Sequence, residues 1–429
     1  MPRLLLYTAA GYTNLGDDAI LEGALQVLRG AVPDAEFAVA GGAALAPRAN
    51  QLGVTAIDAY DWEAVASAVG ASDAVLLGGG GLLYDHTFAP TWEDWARGHA
   101  AWLYQAPRLA IVAKAFGKPF GLFSLGVGPL ETPIGRAFAR YTAQQAGLVI
   151  VRDRGSADIL AQMGADRVPA QVIPDVAAAA PGPAALDVGA FGTRPRPWIA
   201  VNVRPWRDGE RVHAAVADAV AEVLQRTGGS ALLLPFQRTP DDDAAVARTV
   251  ARTVAERIGR PDRVAVAAPG SPQAAMAMLA AADVALVMRL HALWFAVRAG
   301  VPSVVLVYDP KVAALAGVFV RGIEAVPLAI ADGEMLARAV LRLLDQRDAL
   351  VSELRAVAGS LAAQAPRAGQ AVAAWLRAPR TAPRAGDDRT PALELPAEVV
   401  WPQVASLAPV RAALARETHA LYAEVRRPA

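Results

Sequence analysis

Three side chains that could bind and process an anion lie within residues 288–312, MRLHALWFAVRAGVPSVVLVYDPKV. Arg289 and His291 follow one apolar run, and Lys311 follows the next. Guanidinium and ammonium groups bind anions, and an imidazole transfers protons near neutral pH. The spacing predicts a strand–helix–strand unit whose two strands end at the same edge of a parallel sheet. Neighbouring strands lie about 4.8 Å apart, so we expect His291 and Lys311 to converge on a small, strongly anionic ligand.

The scarcity of lysine favours a specific role for Lys311. The chain has 38 Arg and three Lys, so nearly every cation on its surface is a guanidinium. A lysine at a strand end therefore indicates a need for a compact ammonium group. The alternatives are that Lys311 covers a loop and that His291 is a core histidine or a helix cap.

Other cations also follow predicted strands. Arg152 follows GLVIV, and Arg204 follows WIAVNV. In a doubly wound sheet, ligands bind outside the carboxyl ends of the strands. These cations together predict a positively charged edge that binds the anion.

Two further segments could contact a ligand. GYTNLGDDAI places Asn14, Asp17 and Asp18 at a strand-to-helix turn, where they either cap the helix or bind sugar hydroxyls. LLGGGGLLYD lacks the G-x-G-x-x-G spacing of a dinucleotide site. Its Gly79 and Gly80 either let the backbone approach a ligand or form a tight turn. The acidic run in RTPDDDAAV is typical of a helix start, so we predict no metal site.

The elements that must position these residues alternate along the chain. Short aliphatic runs alternate with segments of helical period, which predicts an α/β protein with parallel sheets. We expect two doubly wound Rossmann-like domains that face each other across a cleft. Their predicted bounds are 1–180 and 198–378, with a linker at 181–197 and a Pro-rich tail with an amphipathic helix at 379–429.

Composition excludes several classes of protein. Apolar residues make up 54% of the 429, Lys plus Arg equal Asp plus Glu at 41 each, and cysteine is absent. The balanced charge gives no reason to expect a nucleic-acid partner, and no disulfide or zinc–sulfur site can form. No apolar run is long enough to cross a bilayer. We expect a cytoplasmic protein that could work at the inner face of a membrane.

The motifs quoted above, together with SLGVGP, VRDRGSADIL and PDVAAA, occur in an order that resembles the polysaccharide pyruvyltransferases. The resemblance covers about residues 1–375. It is greatest to bacterial enzymes that add pyruvate ketals to the secondary cell-wall polymers that anchor surface-layer proteins. The Arg-Leu-His and Tyr-Asp-Pro-Lys segments are its most specific parts.

This resemblance implies a fold like that of the two-domain GT-B glycosyltransferases, with phosphoenolpyruvate as donor and no other cofactor. It implies transfer of a pyruvyl group onto two hydroxyls of one sugar, commonly N-acetylmannosamine in a lipid-linked glycan at the inner membrane surface. Arg152, Arg289, His291 and Lys311 would surround the donor, and Arg204 is added from its position. Arg289, His291 and Lys311 would act in catalysis. Asn14, Asp17, Gly79 and Gly80 would face the acceptor.

Two other functions remain open on the same scaffold. One is a GT-B glycosyltransferase that uses a nucleotide-sugar, since a fold does not fix its chemistry. The other is a non-catalytic carbohydrate-binding relative.

Overall fold

The computed structural model describes residues 1–183, 189–207, 209–238, 242–378 and 411–425, and these form two parallel β-sheets. The contacts divide the chain into two units. The first comprises Met1–Tyr12, Ile20–Ala179 and the described part of Gln364–Ala429. The second comprises Thr13–Ala19 and the described part of Ala180–Ala363. The predicted boundaries followed chain order, whereas this grouping assigns residues 13–19 to the second unit and the last helices to the first. Residues 184–188 of the predicted linker lie outside the described residues.

The first unit contains the larger sheet. In the order β3-β2-β1-β4-β5-β6-β7, all neighbouring strands are parallel. Its strands are β1 (Arg3–Tyr7), β2 (Glu36–Gly41), β3 (Thr55–Asp58), β4 (Ala74–Leu83), β5 (Phe120–Val127), β6 (Leu148–Val151) and β7 (Gln171–Val172). Five of these match the predicted aliphatic runs. The two edge strands, β3 and β7, lack such runs because they are short and partly exposed.

The second unit contains the smaller sheet, which is also parallel throughout. Its order is β10-β9-β8-β11-β12-β13. Its strands are β8 (Trp198–Asn202), β9 (Ser230–Leu233), β10 (Val264–Val266), β11 (Val284–Val287), β12 (Ser303–Val307) and β13 (Ile323–Pro327). Strands β11 and β12 pair directly, as the opening segment predicts. The strand order reverses between β8 and β11, which is where doubly wound sheets bind ligands.

Helices connect the strands in both units. They are α1 (Leu15–Ala31), α2 (Ala49–Leu52), α3 (Trp62–Ala71), α4 (Trp92–Ala96), α5 (Trp102–Ala115), α6 (Pro133–Gln145), α7 (Arg154–Gln162), α8 (Gly209–Thr227), α9 (Asp243–Ile258), α10 (Pro272–Ala280), α11 (Leu290–Ala299), α12 (Pro310–Ala316), α13 (Gly333–Asp345), α14 (Arg347–Gln364), α15 (Pro366–Arg377) and α16 (Arg411–Val425). None of the helices in the described ranges is long and apolar enough to cross a membrane.

Side-chain caps explain where many of these helices begin. Asp242 accepts a hydrogen bond from the Ala245 amide and so starts α9 within the acidic run. This fits the interpretation of that run as a helix start, although residues 239–241 lie outside the described residues. Asp309 caps α12 in the same way, followed by Pro310 at the first helical position.

Helix α16 packs within the first unit, against α5 and α6. Leu414 and Leu421 are buried in the core of that unit, and Glu417 forms a 2.7 Å ion pair with Lys114. The end of the chain thus contributes to the hydrophobic core of the unit that contains its beginning.

Candidate active site

The carboxyl edge of the second sheet carries four of the predicted site residues. Arg204 lies two residues beyond β8, and Arg289 lies two residues beyond β11. His291 lies in the first turn of α11, and Lys311 lies in the first turn of α12, after β12. Strands β8, β11 and β12 are consecutive neighbours in the sheet. All four cations therefore belong to one edge of one unit.

Arg289 is fixed by a buried carboxylate. Its guanidinium donates two hydrogen bonds of 2.6 Å, from Nε and Nη2, to the two oxygens of Asp243. Asp243 is fully buried and also accepts from the amides of Phe236 and Gln237. The Arg289 amide donates to Asn202 Oδ1 at 3.0 Å. Arg289 is thus oriented by a bidentate ion pair with Asp243, whose carboxylate is itself held by two backbone amides.

Sequence reasoning missed both partners of Arg289. Asn202 had a usable signal, because it is a polar residue that ends an otherwise aliphatic strand. Asp243 had none, because an aspartate in the first turn of a helix is explained by the helix start alone.

His291 packs directly on the backbone of Gly16. A Cβ atom added at Gly16 would lie 2.3 Å from His291 Nδ1, which is far inside van der Waals contact. The His291 ring is half-buried and lies 6.4 Å, centroid to centroid, from Phe295. The glycine of GYTNLGDD is therefore needed to bring the first turn of α1 against the imidazole.

That turn is attached to the end of β9. Asn14 Oδ1 accepts from the Gly16 amide at 3.0 Å, which makes Asn14 a helix-capping residue. The Leu15 amide donates to the Phe236 carbonyl at 3.0 Å. Asn14 also forms an antiparallel bridge with Gln237. These bonds hold residues 14–18 at the same edge as Arg289 and His291.

Asp17 lies in the turn of α1 that packs against His291. Burial raises the pKa of its carboxyl to about 6, and the charge of Asp18 acts in the same direction. His291, Arg289 and Lys311 each lower that pKa, so all three lie within electrostatic range of this one carboxyl. The convergence of His291 and Lys311 on a bound ligand stays a prediction.

Lys311 also has a carboxylate beside it. Its Nζ lies 3.1 Å from Asp309 Oδ2, and its amide donates to Asp309 Oδ1 at 3.0 Å. Asp309 is buried, while 28% of the Lys311 side chain is exposed. The ammonium group therefore combines a fixed position with access from solvent.

Arg204 lies between two aromatic rings. Its guanidinium is 5.2 Å from the centroid of Trp206 and 5.3 Å from that of Tyr308, and Nη1 donates to the Tyr308 hydroxyl at 3.3 Å. Trp206, Arg207 and His213 line a cavity of about 650 Å³ next to it. Stacking on two rings orients a guanidinium without neutralising its charge.

The first unit carries the remaining predicted residues. Arg152 follows β6 and forms an ion pair of 3.1 Å with Asp175, within the PDVAAA segment. Its guanidinium lies over Gly126, where an added Cβ would come within 2.8 Å of Nε. The glycine of SLGVGP therefore makes room for Arg152.

Gly79 and Gly80 lie inside β4 with φ of +80° and +102°. An added Cβ at Gly79 would come within 2.4 Å of Ile20. Backbone conformation and packing by themselves account for glycine at position 79, and a role of either residue toward an acceptor stays a prediction.

In the described part of the chain, no three His, Asp or Glu side chains group so as to hold a metal ion. The prediction that no metal is needed stays a prediction, since the arrangement of acids does not test the reaction.

Comparison with known folds and families identifies the architecture. The chain resembles the crystal structure of Anabaena Alr3699/HepE in complex with UDP at 14% identity and a TM-score of 0.58, covering 88% of this chain and 99% of that one. It resembles UDP-GlcNAc 2-epimerase from Neisseria meningitidis bound to UDP-GlcNAc at 11% identity and a TM-score of 0.57, covering 88% and 99%. It also resembles a glycosyltransferase from Rickettsia africae at 11% identity and a TM-score of 0.54, and the match covers 88% of this chain and 96% of that one.

Such low identities show the fold alone, and they confirm the predicted α/β class with two doubly wound, GT-B-like sheets. No curated protein sequence matches the chain. Residues 14–310 match the family described as polysaccharide pyruvyl transferase, which is the family that the motifs resemble. This match spans more than half of the chain and includes Asp17, Arg289 and His291. The protein therefore belongs to the polysaccharide pyruvyl transferase family.

Proposed function

We propose that the protein transfers the pyruvyl group of phosphoenolpyruvate onto two hydroxyls of one sugar and so forms a ketal. The observation that carries this proposal is the placement of Arg289, His291 and Lys311 after the neighbouring strands β11 and β12, at one sheet edge. Phosphoenolpyruvate holds a carboxylate and a phosphate within a few atoms of each other. Several cations fixed at one place suit such a ligand, because charge-assisted hydrogen bonds neutralise both groups at once.

The residues proposed to surround the donor have different roles. Arg289 and Lys311 bind the anionic groups, with Arg204 on the same sheet edge, and Arg152 is a further proposed donor residue. Asp243 and Asp309 orient Arg289 and Lys311, so these cations lose little side-chain entropy when the donor binds. His291 is the proposed proton-transfer group of the site.

The chemistry follows from the donor. A proton added to its methylene carbon makes C2 electrophilic, and one sugar hydroxyl adds there. Phosphate then leaves, and the second hydroxyl closes the ketal. We propose N-acetylmannosamine in a lipid-linked cell-wall glycan as the acceptor, met by a cytoplasmic protein at the inner face of the membrane. Asn14, Asp17, Gly79 and Gly80 are the residues proposed to face it.

Release of inorganic phosphate tests this function directly. The purified protein is incubated with phosphoenolpyruvate and a panel of lipid-linked glycans, and the product is examined by mass spectrometry for an added pyruvyl ketal. We expect phosphate release that depends on both substrates, and much slower release by Lys311→Ala at low donor concentration. The matched control is Lys114→Ala, since Lys114 is also paired with a carboxylate but lies on α5 of the first unit and is not a proposed site residue.

A nucleotide-sugar donor is the rival that the fold suggests, because two of the similar structures contain UDP or a UDP-sugar. Thermal unfolding with each ligand separates the two. Stabilisation by phosphoenolpyruvate and not by UDP-sugars supports the proposal. The reverse result, with glycosyl transfer in place of phosphate release, overturns it.

A further inference from the structure

The first addition in the proposed reaction requires two proton transfers at the carbon–carbon double bond of the donor. One proton must reach the methylene carbon of the donor, and another must leave the attacking hydroxyl. His291 can carry one of them. A second titratable group is needed on the same edge, and Asp17 is placed to be that group.

The Asp17 carboxyl differs from the other carboxylates at this edge. Asp243 and Asp309 are both engaged, with Arg289 and Lys311 respectively. By contrast, no residue in the described part of the chain donates a hydrogen bond to the half-buried Asp17 carboxyl. Hydrogen bonds and ion pairs hold a carboxylate in its charged form, so Asp17 is the carboxyl here that can most easily accept a proton.

The charges that face Asp17 will change when the donor binds. Asp18, on the same helix, opposes ionisation, while His291 and Arg289 from α11 and its cap, and Lys311 from α12, favour it. A donor with two or three negative charges will draw these cations to itself and add a like charge next to Asp17. Both effects favour the protonated carboxyl.

From this arrangement we propose that Asp17 takes up a proton when the donor binds and passes it to the methylene carbon of phosphoenolpyruvate. The inference rests on the proposed function and assigns the acid of that reaction. It gives Asp17 a role toward the donor in addition to the predicted contact with the acceptor. A carboxyl whose pKa is already near 6 in the free protein supports it, since a modest further rise makes it an acid at neutral pH.

The steps balance as follows. The O–H bond of Asp17 breaks, and the π electrons of the donor form the new C3–H bond, which leaves C2 electron-poor. One sugar hydroxyl forms a C–O bond to C2 and gives its proton to His291. The C2–O bond to phosphate then breaks, and phosphate leaves with the proton held by His291. The second hydroxyl bonds to C2, and its proton restores Asp17.

Proton uptake on donor binding tests the proposal without reliance on turnover. Titration calorimetry with phosphoenolpyruvate at pH 7, in buffers of different ionisation enthalpy, gives the number of protons taken up. We expect the number of protons taken up per bound donor to be larger in the wild type than in Asp17→Asn, by about half a proton or more. Donor affinity at pH 7 should rise by up to about tenfold, because Asn does not have to take up the proton that the Asp17 carboxyl gains on binding, while kcat falls by about 10² to 10⁴.

Two further variants keep the test decisive. Asp17→Glu retains a titrating carboxyl and should retain the proton uptake with reduced kcat. Glu22→Gln, on the same helix and paired with Arg48, should change neither quantity. Equal proton uptake and similar kcat in wild type and Asp17→Asn would overturn the inference while leaving the proposed function intact. Absence of any binding heat with the wild type would instead refute the donor itself.

Discussion

At the scale of single residues, Arg289 and Lys311 each have a carboxylate paired with them. Asp243 holds Arg289, Asp309 holds Lys311, and Asp17 faces both of these cations and His291. Such pairing lowers the desolvation cost of keeping cations at a partly buried edge before the ligand arrives. It also means that the donor must share these cations with carboxylates that stay in place.

His291 and Lys311 should separate in kinetics. His291→Ala should lower kcat by about 10² to 10⁴ with little change in donor binding, because the proposed role of His291 is to transfer protons and not to hold the anion. Lys311→Ala should chiefly raise the KM for the donor. Lys311→Arg should recover only part of the lost donor affinity, because the larger, planar guanidinium group cannot take the place of an ammonium group without moving the ligand. Steady-state kinetics at varied donor concentration measure both. Equal loss of donor affinity in both variants, with kcat spared in His291→Ala, would show that His291 only binds the anion.

Asp17 should make stability depend on pH. Its pKa is about 6 in the folded protein against 3.8 for the ordinary carboxyl, so the folded state binds the proton more tightly than the unfolded state. The resulting stabilisation is complete below about pH 4 and is lost as pH rises through about 6. Asp17→Asn should therefore be more stable than wild type at pH 7.5, by on the order of 2 kcal/mol, and the gain should shrink towards pH 4.5. Urea unfolding at both pH values measures it, and a gain that does not vary with pH contradicts the assignment.

At the scale of elements, the site depends on close contact between the first turn of α1 and the start of α11. Gly16 permits that contact, and bonds to the end of β9 hold the turn in place. Asp243 at the start of α9 links the same strand end to Arg289, the cap of α11. Three helix starts are thereby fixed to one another within the second unit.

Gly16→Ala should displace the His291 ring. The new methyl group would lie within 2.9 Å of three ring and side-chain atoms, so kcat should fall at least tenfold, because small misplacements of a catalytic group are costly. Gly30→Ala is the matched control on the same helix, since nothing lies within 4 Å of its added Cβ. That control should be neutral or slightly stabilising. Unchanged kinetics in Gly16→Ala would show that the ring position is not important.

Asp243→Asn should destabilise the second unit. It leaves Arg289 buried without its counter-charge, which typically costs about 3 to 5 kcal/mol. Guanidinium-induced unfolding measures the loss. The same change at Asp262, in an exposed pair with Arg260 at 2.7 Å, should have little effect. Similar small effects at both positions would contradict the buried-pair argument.

At the scale of the whole molecule, the two units do not follow chain order. The last described helices belong to the first unit, and residues 13–19 belong to the second. The second unit is thus completed by a segment from near the start of the chain, and that segment carries Asn14, Gly16 and Asp17. The family match, which begins at residue 14, includes it.

Helix α16 should contribute measurably to the stability of the first unit. Leu421 is fully buried, and Leu421→Ala should cost about 2 to 5 kcal/mol through lost transfer energy and the cavity left behind. Arg416→Ala, an exposed position on the same helix, should cost little. Thermal unfolding of the full chain compares them. Equal melting temperatures would mean that the helix does not contribute to the cooperative core.

The sequence by itself determined the class of fold and the identity of the chemical groups. Strand positions were predictable because buried parallel strands are nearly continuous aliphatic runs, and hydrophobic periodicity is a local property. The strand–helix–strand spacing likewise placed His291 and Lys311 on one edge, since right-handed crossovers leave little choice of topology. The edge strands β3 and β7 escaped prediction because half-exposed, short strands lack that pattern.

The tertiary structure decided which groups meet. Nothing local to Arg289 indicates Asp243, and nothing local to His291 indicates Gly16 and Asp17, which lie more than 270 residues earlier in the chain. Such pairs form because strand order within a sheet brings distant helix starts to one edge. The elevated pKa of Asp17 likewise arises from burial and from the charge of Asp18, and it is limited by His291, Arg289 and Lys311, which act in the opposite direction. A carboxyl's proton affinity is a property of its surroundings in space, and those surroundings exist only after the chain has folded.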